Sequence, residues 1–227
     1  MTQYGFYFDN SRCTGCRTCT MACKDYNDLS VDNAFRKVYD FEGGSWTESE
    51  GTYTTDCFVY HVSLACQHCD DPACVAVCPT GAMHKDPDTG LVSVDTTKCI
   101  GCGYCAMNCP YNVPKVDREL GHSVKCDGCA SRVAEGKNPI CVDACPLRAL
   151  DFGPIDELKK EYEGVSGIAP MPDPSITNPN IIIKKSPAAL DPGRRTGRDC
   201  HRCRRYPAHG TQNESARAQP RAGSKQS

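Results

Sequence analysis

Sixteen of the nineteen cysteines in this 227-residue chain fall into four spaced runs, and that spacing restricts the fold more than any other feature. Cys99, Cys102, Cys105 and Cys109 form C-x2-C-x2-C-x3-C-P, the run of bacterial ferredoxins. Cys13, Cys16, Cys19 and Cys23 repeat the spacing, with Lys24 in place of the proline. Cys66, Cys69, Cys74 and Cys78 follow C-x2-C-x4-C-x3-C-P, and Cys126, Cys129, Cys141 and Cys145 follow C-x2-C-x11-C-x3-C-P. Three thiolates two residues apart can wrap one face of a cubane [4Fe–4S] cluster. The fourth is carried away on a short helix and, in two-cluster ferredoxins, ligates the other cluster. Sixteen ligands imply four clusters.

Two other chemistries compete. Disulfide scaffolds are short secreted chains, whereas this one is long and shows no apolar signal sequence after Met1. Zinc sites use C-x2-C pairs, but a third thiolate after another two residues is not their usual spacing. Of the leftover cysteines, Cys57 reads as a small core hydrophobe on a strand. Cys200-His201-Arg202-Cys203 falls short of a closed zinc site.

Leu, Ile, Val and Phe make up 36 of the 227 residues, below the roughly 20% at which charged chains read as disordered. Metal ligation resolves the conflict, because its free energy becomes folding free energy where a core is thin. The metal-free chain is expected to be largely unfolded. No apolar stretch approaches the roughly 18 residues that span a bilayer, so membrane contact is expected only through a partner. Thiols that must meet iron reduced call for assembly in a reducing compartment.

The sequence also repeats itself. CPTGAM (78–83) and CPLRAL (145–150) follow equivalent cysteines, and CPYNVP (109–114) is a looser copy. After the first copy, Asp88-Thr89-Gly90 marks a turn before the alternating Leu91-Val92-Ser93-Val94. If fourth cysteines are exchanged, runs two and three pair as neighbours, and runs one and four pair around them. The expected fold class is α+β: two ferredoxin-like 2[4Fe–4S] units, one inserted in the other, loop-rich with short strands and helices. Residues 1–24 with 119–160 form the outer unit and residues 61–118 the inner one. Residues 25–60 form an insertion with a β-hairpin around Gly43-Gly44. Residues 161–185 are an extension in which prolines exclude a long helix. From Lys184 onward there are 11 Lys/Arg against 3 Asp/Glu, so residues 186–227 read as a disordered basic tail without nucleic-acid binding.

No G-x-G-x-x-G, P-loop or nucleophile elbow is present, and full cysteine ligation leaves no iron open to substrate. The chain reads as an electron carrier, not an enzyme by itself. Arg17, Lys24, Lys98, Lys125 and Arg148 flank ligand cysteines and could raise cluster potentials, although each also suits a solvated surface. His61, His68, His84 and His122 lack metal or catalytic spacing, and Asp70-Asp71-Pro72 suits a turn.

The order of the four runs, with CQHCDDPACVAVCPTGAMHK and GHSVKCDGCASRVAEGKNPICVDACPLRALDFGPIDEL, resembles the iron–sulfur electron-transfer subunits of molybdopterin oxidoreductases over residues 3–185. Within them it is most similar to the branch that serves dimethyl sulfoxide reductases. The resemblance implies an anaerobic respiratory heterotrimer of a molybdopterin catalytic subunit, this subunit and a quinol-oxidising membrane anchor. It also implies four ligand sets: Cys13, Cys16, Cys19 and Cys145; Cys126, Cys129, Cys141 and Cys23; Cys66, Cys69, Cys74 and Cys109; and Cys99, Cys102, Cys105 and Cys78. Electrons would run from the last set, at the anchor, to the first. Related nitrate reductase subunits carry tryptophan at the position of Cys102 and hold a three-iron cluster there, so Cys102 implies four cubanes. The terminal substrate is expected to be a sulfoxide or N-oxide, the alternatives being tetrathionate, thiosulfate, polysulfide, selenate or formate, or a free polyferredoxin. The chain is expected to sit peripherally at the cytoplasmic membrane through its partners, on the exported face after folded co-export.

Overall fold

The computed structural model describes residues 2–192. Strand β1 (Tyr4–Asp9) leads through the first cysteine run into helix α1 (Thr18–Tyr26). The insertion follows as β2 (Lys37–Gly43), β3 (Trp46–Ser49), β4 (Thr52–Thr55) and β5 (Phe58–Leu64). Next come α2 (Ala73–Ala76), β6 (Met83–Lys85), β7 (Val92–Val94) and α3 (Tyr104–Asn108). The strands β8 (Lys115–Asp117) and β9 (His122–Val124) precede α4 (Ala130–Ala134) and α5 (Ile140–Asp143). Finally β10 (Leu150–Pro154), α6 (Ile155–Glu161) and β11 (Ile181–Lys184) complete the described residues. The mixture of short helices and strands is an α+β, ferredoxin-like fold. None of these helices exceeds nine residues, so none is stable alone and packing must hold each of them.

Two packings organise the cysteine runs. Helix α1, carrying Cys19 and Cys23, packs on α5, which carries Cys141. Helix α2, carrying Cys74, packs on α3, which carries Cys105. The matching hairpins are β6 with β7 and β8 with β9, both antiparallel. The Asp86–Gly90 turn closes the first, with the Gly90 N–H donating to Asp86 O at 2.9 Å.

The main sheet runs β10-β1-β11, antiparallel on one side of β1 and parallel on the other. Alternation along β1 explains its two buried faces. Phe6 and Phe8 join Leu150, Phe152, Ile181 and Ile183 in the larger core, while Tyr7 faces Ile155, Leu158 and Ile182 beneath α6. The Tyr7 and Tyr162 rings stack 3.8 Å apart. Burying a side chain the size of Phe8 or Ile183 contributes roughly 1.5–3 kcal/mol.

Four sequence expectations need correction. The segment expected as an extension supplies β11, a partner of β1, because Ile181-Ile182-Ile183 buries on both faces. The hairpin of the insertion forms, but its chain reversal lies at Glu50-Gly51, both with positive φ, and Gly44 joins the β2–β5 and β3–β4 ladders. Cys57 is exposed in that junction rather than buried on a strand. The tail expected from residue 186 begins as a packed segment. Ala189 is buried, Ala169 N–H donates to Leu190 O at 2.9 Å, and Leu190 N–H donates to the Tyr60 hydroxyl at 3.4 Å. Residues 193–227, including Cys200 to Cys203, lie outside the described residues.

Candidate metal centre

Each C-x-x-C pair turns on a residue with left-handed backbone. Gly15, Gly101 and Gly128 occupy the position before the second cysteine with φ of 70°, 67° and 76°, and His68 occupies it with φ of 44°. At Gly101 the requirement is double, since a Cβ would also lie 2.5 Å from the Gly121 carbonyl oxygen. The three C-P copies share a second left-handed position, at Gly81, Asn112 and Arg148. That turn aims backbone donors at sulfur: Met83 N–H donates to Cys78 Sγ and Ala149 N–H to Cys145 Sγ, both at 3.3 Å. Ser123 N–H donates to Cys99 Sγ at 3.3 Å and Gly128 N–H to Cys126 Sγ at 3.4 Å.

The cysteines of different runs come together. Cys13, Cys16, Cys19 and Cys145 line one pocket, walled by Phe8, Val38, Ala149 and Leu150. Cys23 lies within electrostatic reach of Cys126, Cys141 and Cys129. Cys69 and Cys74 each sense Cys66 and Cys109. Cys105 senses Cys99 and Cys102. Cys78, the last cysteine of the second run, packs at the edge of the buried apolar cluster that contains Cys105. Electrostatic coupling also links Cys141 with Cys19, and Cys126 with Cys66.

Exposure differs along the series. Cys16 and Cys102 reach the surface, whereas Cys23, Cys126, Cys129 and Cys141 are all buried. Burial pushes the thiols of Cys23, Cys69 and Cys74 up to about 12 and that of Cys129 to about 11. At Cys16 the Thr18 hydroxyl and N–H pull the pKa below its ordinary value. Such thiols release protons when they take iron. Clustered cysteines lined by apolar walls, with backbone N–H groups turned to sulfur, fit an iron–sulfur cluster. None of the described cysteines is in a disulfide.

Comparison with known proteins places this arrangement. Residues 57–155 match the 4Fe-4S dicluster domain family. Over 196 residues the sequence is 55% identical to the B subunit of anaerobic dimethyl sulfoxide reductase from Escherichia coli (strain K12), covering 86% of this protein and 95% of that one. The protein belongs to this family of iron–sulfur subunits. The corresponding B subunit of Haemophilus influenzae is 54% identical over 198 residues, 87% of this protein and 96% of its own length. The thiosulfate reductase electron transfer subunit of Salmonella typhi is 42% identical over 156 residues, 68% of this protein and 78% of its own length. As a member, the protein is a non-catalytic electron-transfer subunit that carries [4Fe–4S] clusters, and its sixteen grouped cysteines suffice for four. No helix among the described residues is long and apolar enough to cross a membrane.

The flanking cations expected to tune these sites separate clearly. Arg17 pairs with Asp40 at 2.7 Å and Lys98 with Asp95 at 2.9 Å, and both cations are exposed. Lys24 donates to the carbonyls of Ser30, Val31 and Asn33, and Arg148 to those of Asp143 and Cys145. Lys125 alone of the five is buried; it donates to the carbonyls of Val92 and Cys126 and lies within reach of Cys74, Cys109 and Cys126.

Two residues matter more than the sequence suggested: His68, which lacked metal or catalytic spacing, and Arg36, which was not singled out. His68 is fully buried, desolvation pushes its pKa below the ordinary value, and it lies beside Cys126. Arg36 is buried in the insertion, distant in sequence from every ligand. Its place in FRKVYDF, a charge inside a strand-like run, was the only signal available.

Proposed function

We propose that this subunit relays electrons through four sites in the order of the sets named above, each holding a [4Fe–4S] cluster that accepts and passes one electron at a time. The observation that carries the reading is the single pocket lined by Cys13, Cys16, Cys19 and Cys145, which joins the first run to the last. Its counterpart is Cys23 among Cys126, Cys129 and Cys141. The α2–α3 packing and the proximity of Cys109 to Cys66, Cys69 and Cys74 support the third and fourth sets. The inner unit, runs two and three, would thus sit between the halves of the outer one, with the 25–60 hairpin laid against their junction.

The protein's part in transfer is to space and insulate. Electrostatic coupling of Cys19 with Cys141 and of Cys66 with Cys126 supports a linear order in which the second and third sets are interior. Exposed Cys16 and Cys102 would be the two surface ports. Backbone and hydroxyl donors to sulfur favour the reduced, more negative state.

The partners are proposals of the same kind: a molybdopterin catalytic subunit at the Cys16 end and a quinol-oxidising membrane anchor at the Cys102 end. The substrate assigned to the complex is dimethyl sulfoxide or an N-oxide, following the 54–55% identity to the two dimethyl sulfoxide reductase subunits. Peripheral placement on the exported face of the membrane completes the reading.

The test begins with anaerobically purified complex carrying a tag on this subunit. About 16 iron and 16 acid-labile sulfide per subunit are expected, from four cubanes, with quinol-dependent reduction of dimethyl sulfoxide. Cys13→Ser and Cys145→Ser should abolish the same low-temperature EPR signal, and Cys141→Ser a different one. Loss of the same signal with Cys145→Ser and Cys141→Ser would overturn the crossed pairing.

A further inference from the structure

Arg36 carries a buried positive charge that no carboxylate among the described residues neutralises. The side chain is buried, with a relative exposure of 2%. One nitrogen, Nη1, donates to Ser63 Oγ at 3.1 Å, and Ser63 Oγ in turn lies 3.5 Å from Cys19 Sγ. Nε and Nη2 have no oxygen or nitrogen partner, and the guanidinium instead faces the Cys141 sulfur. The guanidinium carbon stands 4.6 Å from the centroid of the Phe6 ring. The sulfurs of Cys141, Cys19 and Cys126 are the strongest electrostatic partners of the guanidinium.

An uncompensated buried cation is costly to keep, and a cation–π contact offsets only part of that cost. Something anionic must therefore complete the site. The three sulfurs nearest in electrostatic terms belong to two different ligand sets, Cys19 to the first and Cys126 and Cys141 to the second. A cubane held by four thiolates is anionic, and reduction adds a further negative charge. The N–H donors of Nε and Nη2, in the fixed fork of a guanidinium, suit sulfur acceptors on both sides.

We propose that Arg36 is a positioning residue for electron transfer: the shared counter-charge of the first and second cluster sites, raising both potentials and easing repulsion when both are reduced. The inference rests on the ligand sets proposed above. It also gives the 25–60 insertion a task, since β2 begins one residue after Arg36 and its ladder with β5 delivers Ser63 to the same place.

The test is redox-poised EPR of the full complex carrying Arg36→Gln and Arg36→Lys, with iron and sulfide measured in each. The signals of the first and second sites are identified beforehand by their loss in Cys19→Ser and Cys141→Ser. In Arg36→Gln, those two clusters should become harder to reduce by at least tenfold in equilibrium constant, about 59 mV for a one-electron couple, or be lost. The third and fourth should stay unmoved. Arg36→Lys, which keeps the charge, should retain both clusters with shifts smaller than half as large. Unchanged potentials at full iron content in Arg36→Gln would overturn the proposal. So would equal damage by Gln and Lys, which would make Arg36 a packing residue, or an equal shift at all four sites. Failure of the ligand sets themselves would show separately, in the cysteine variants and with Arg36 intact.

Discussion

The backbone N–H of Val92 donates to Nδ1 of His68 at 2.9 Å, tying the second cysteine run to the strand that follows it. The bond makes Nδ1 an acceptor, so the neutral ring carries its proton on Nε2. Nε2 finds no oxygen or nitrogen partner and lies beside Cys126. A residue of the second cysteine run thereby lies against a cysteine of the fourth run.

Replacing His68 separates its two tasks. His68→Gly would relax a backbone at φ 44° but leave the buried Val92 N–H unpaired and open a void. Strain relief is worth about 1 kcal/mol, against about 1–3 kcal/mol for the orphaned donor and more for the cavity. A net loss of about 2 kcal/mol is expected from these terms, read by denaturant unfolding of the loaded protein. Equal or greater stability would mean that the strain, rather than the bond, dominates at this position.

Gly101→Ala should act locally. The new Cβ meets the Gly121 carbonyl oxygen at 2.5 Å and must hold φ near 67°. Cys99 and Cys102 flank it, so one cluster's worth of iron should disappear while the other three EPR signals persist. Intact iron content would show that the Gly121 turn can move aside.

Assembly should depend on pH unevenly. Thiols raised to about 12 at Cys23, Cys69 and Cys74 stay protonated in the folded metal-free sites through neutral pH, so iron has to displace those protons. A raised thiol pKa means that the folded protein holds more protons than the unfolded one above about pH 8.5. The folded fraction of the metal-free chain, small to begin with, therefore shrinks as pH climbs from there towards 12, while iron affinity rises over the same direction. The first set, where a lowered Cys16 stands against a raised Cys13, should reassemble at lower pH than the second, where Cys23, Cys129 and Cys141 are raised against a lowered Cys126, and than the third, where Cys69, Cys74 and Cys109 are raised. Reconstitution followed by EPR between about pH 6.5 and 9, a window that reaches ordinary thiol ionisation only at its upper end, checks this; four signals returning together would rule it out.

Truncation should show a sharp boundary. Removing residues 193–227 should leave iron content and unfolding midpoint unchanged. Stopping at Lys185 removes the buried Ala189 and the Leu190 backbone contacts with Ala169 and Tyr60. The expected cost is about 2–3 kcal/mol, from one lost apolar burial and two hydrogen bonds. Thermal unfolding of the two truncations distinguishes them, and identical midpoints would remove Ala189 from the core.

Much of this was legible because iron–sulfur ligation constrains sequence locally. The cysteine spacings, the Asp86–Gly90 turn and the C-P repeats each act within a few residues, and the left-handed positions at Gly81, Asn112 and Arg148 show that the three copies share one backbone path. The hairpin of the insertion was also legible, from alternation in FRKVYDF and TYTTDCFVYHV. Its reversal was misplaced because Gly43-Gly44 and Glu50-Gly51 are equally good local signals, and only the ladder register of Phe41 opposite Tyr60 chooses between them.

Sequence by itself determined which residues are suited to bind iron, because a third thiolate two residues beyond a C-x2-C pair is not the spacing of zinc sites. It also set the need for metal, through a shortage of aliphatic side chains. Tertiary structure decided the rest. Ile181–Ile183 is an apolar run that could serve any buried element until β1 presents an edge for it. Arg36 is an ordinary charge until Phe6, Ser63 and two sets of sulfur enclose it. The physical reason is range: ligand geometry acts over neighbouring residues, whereas desolvation and charge depend on whatever folding carries alongside.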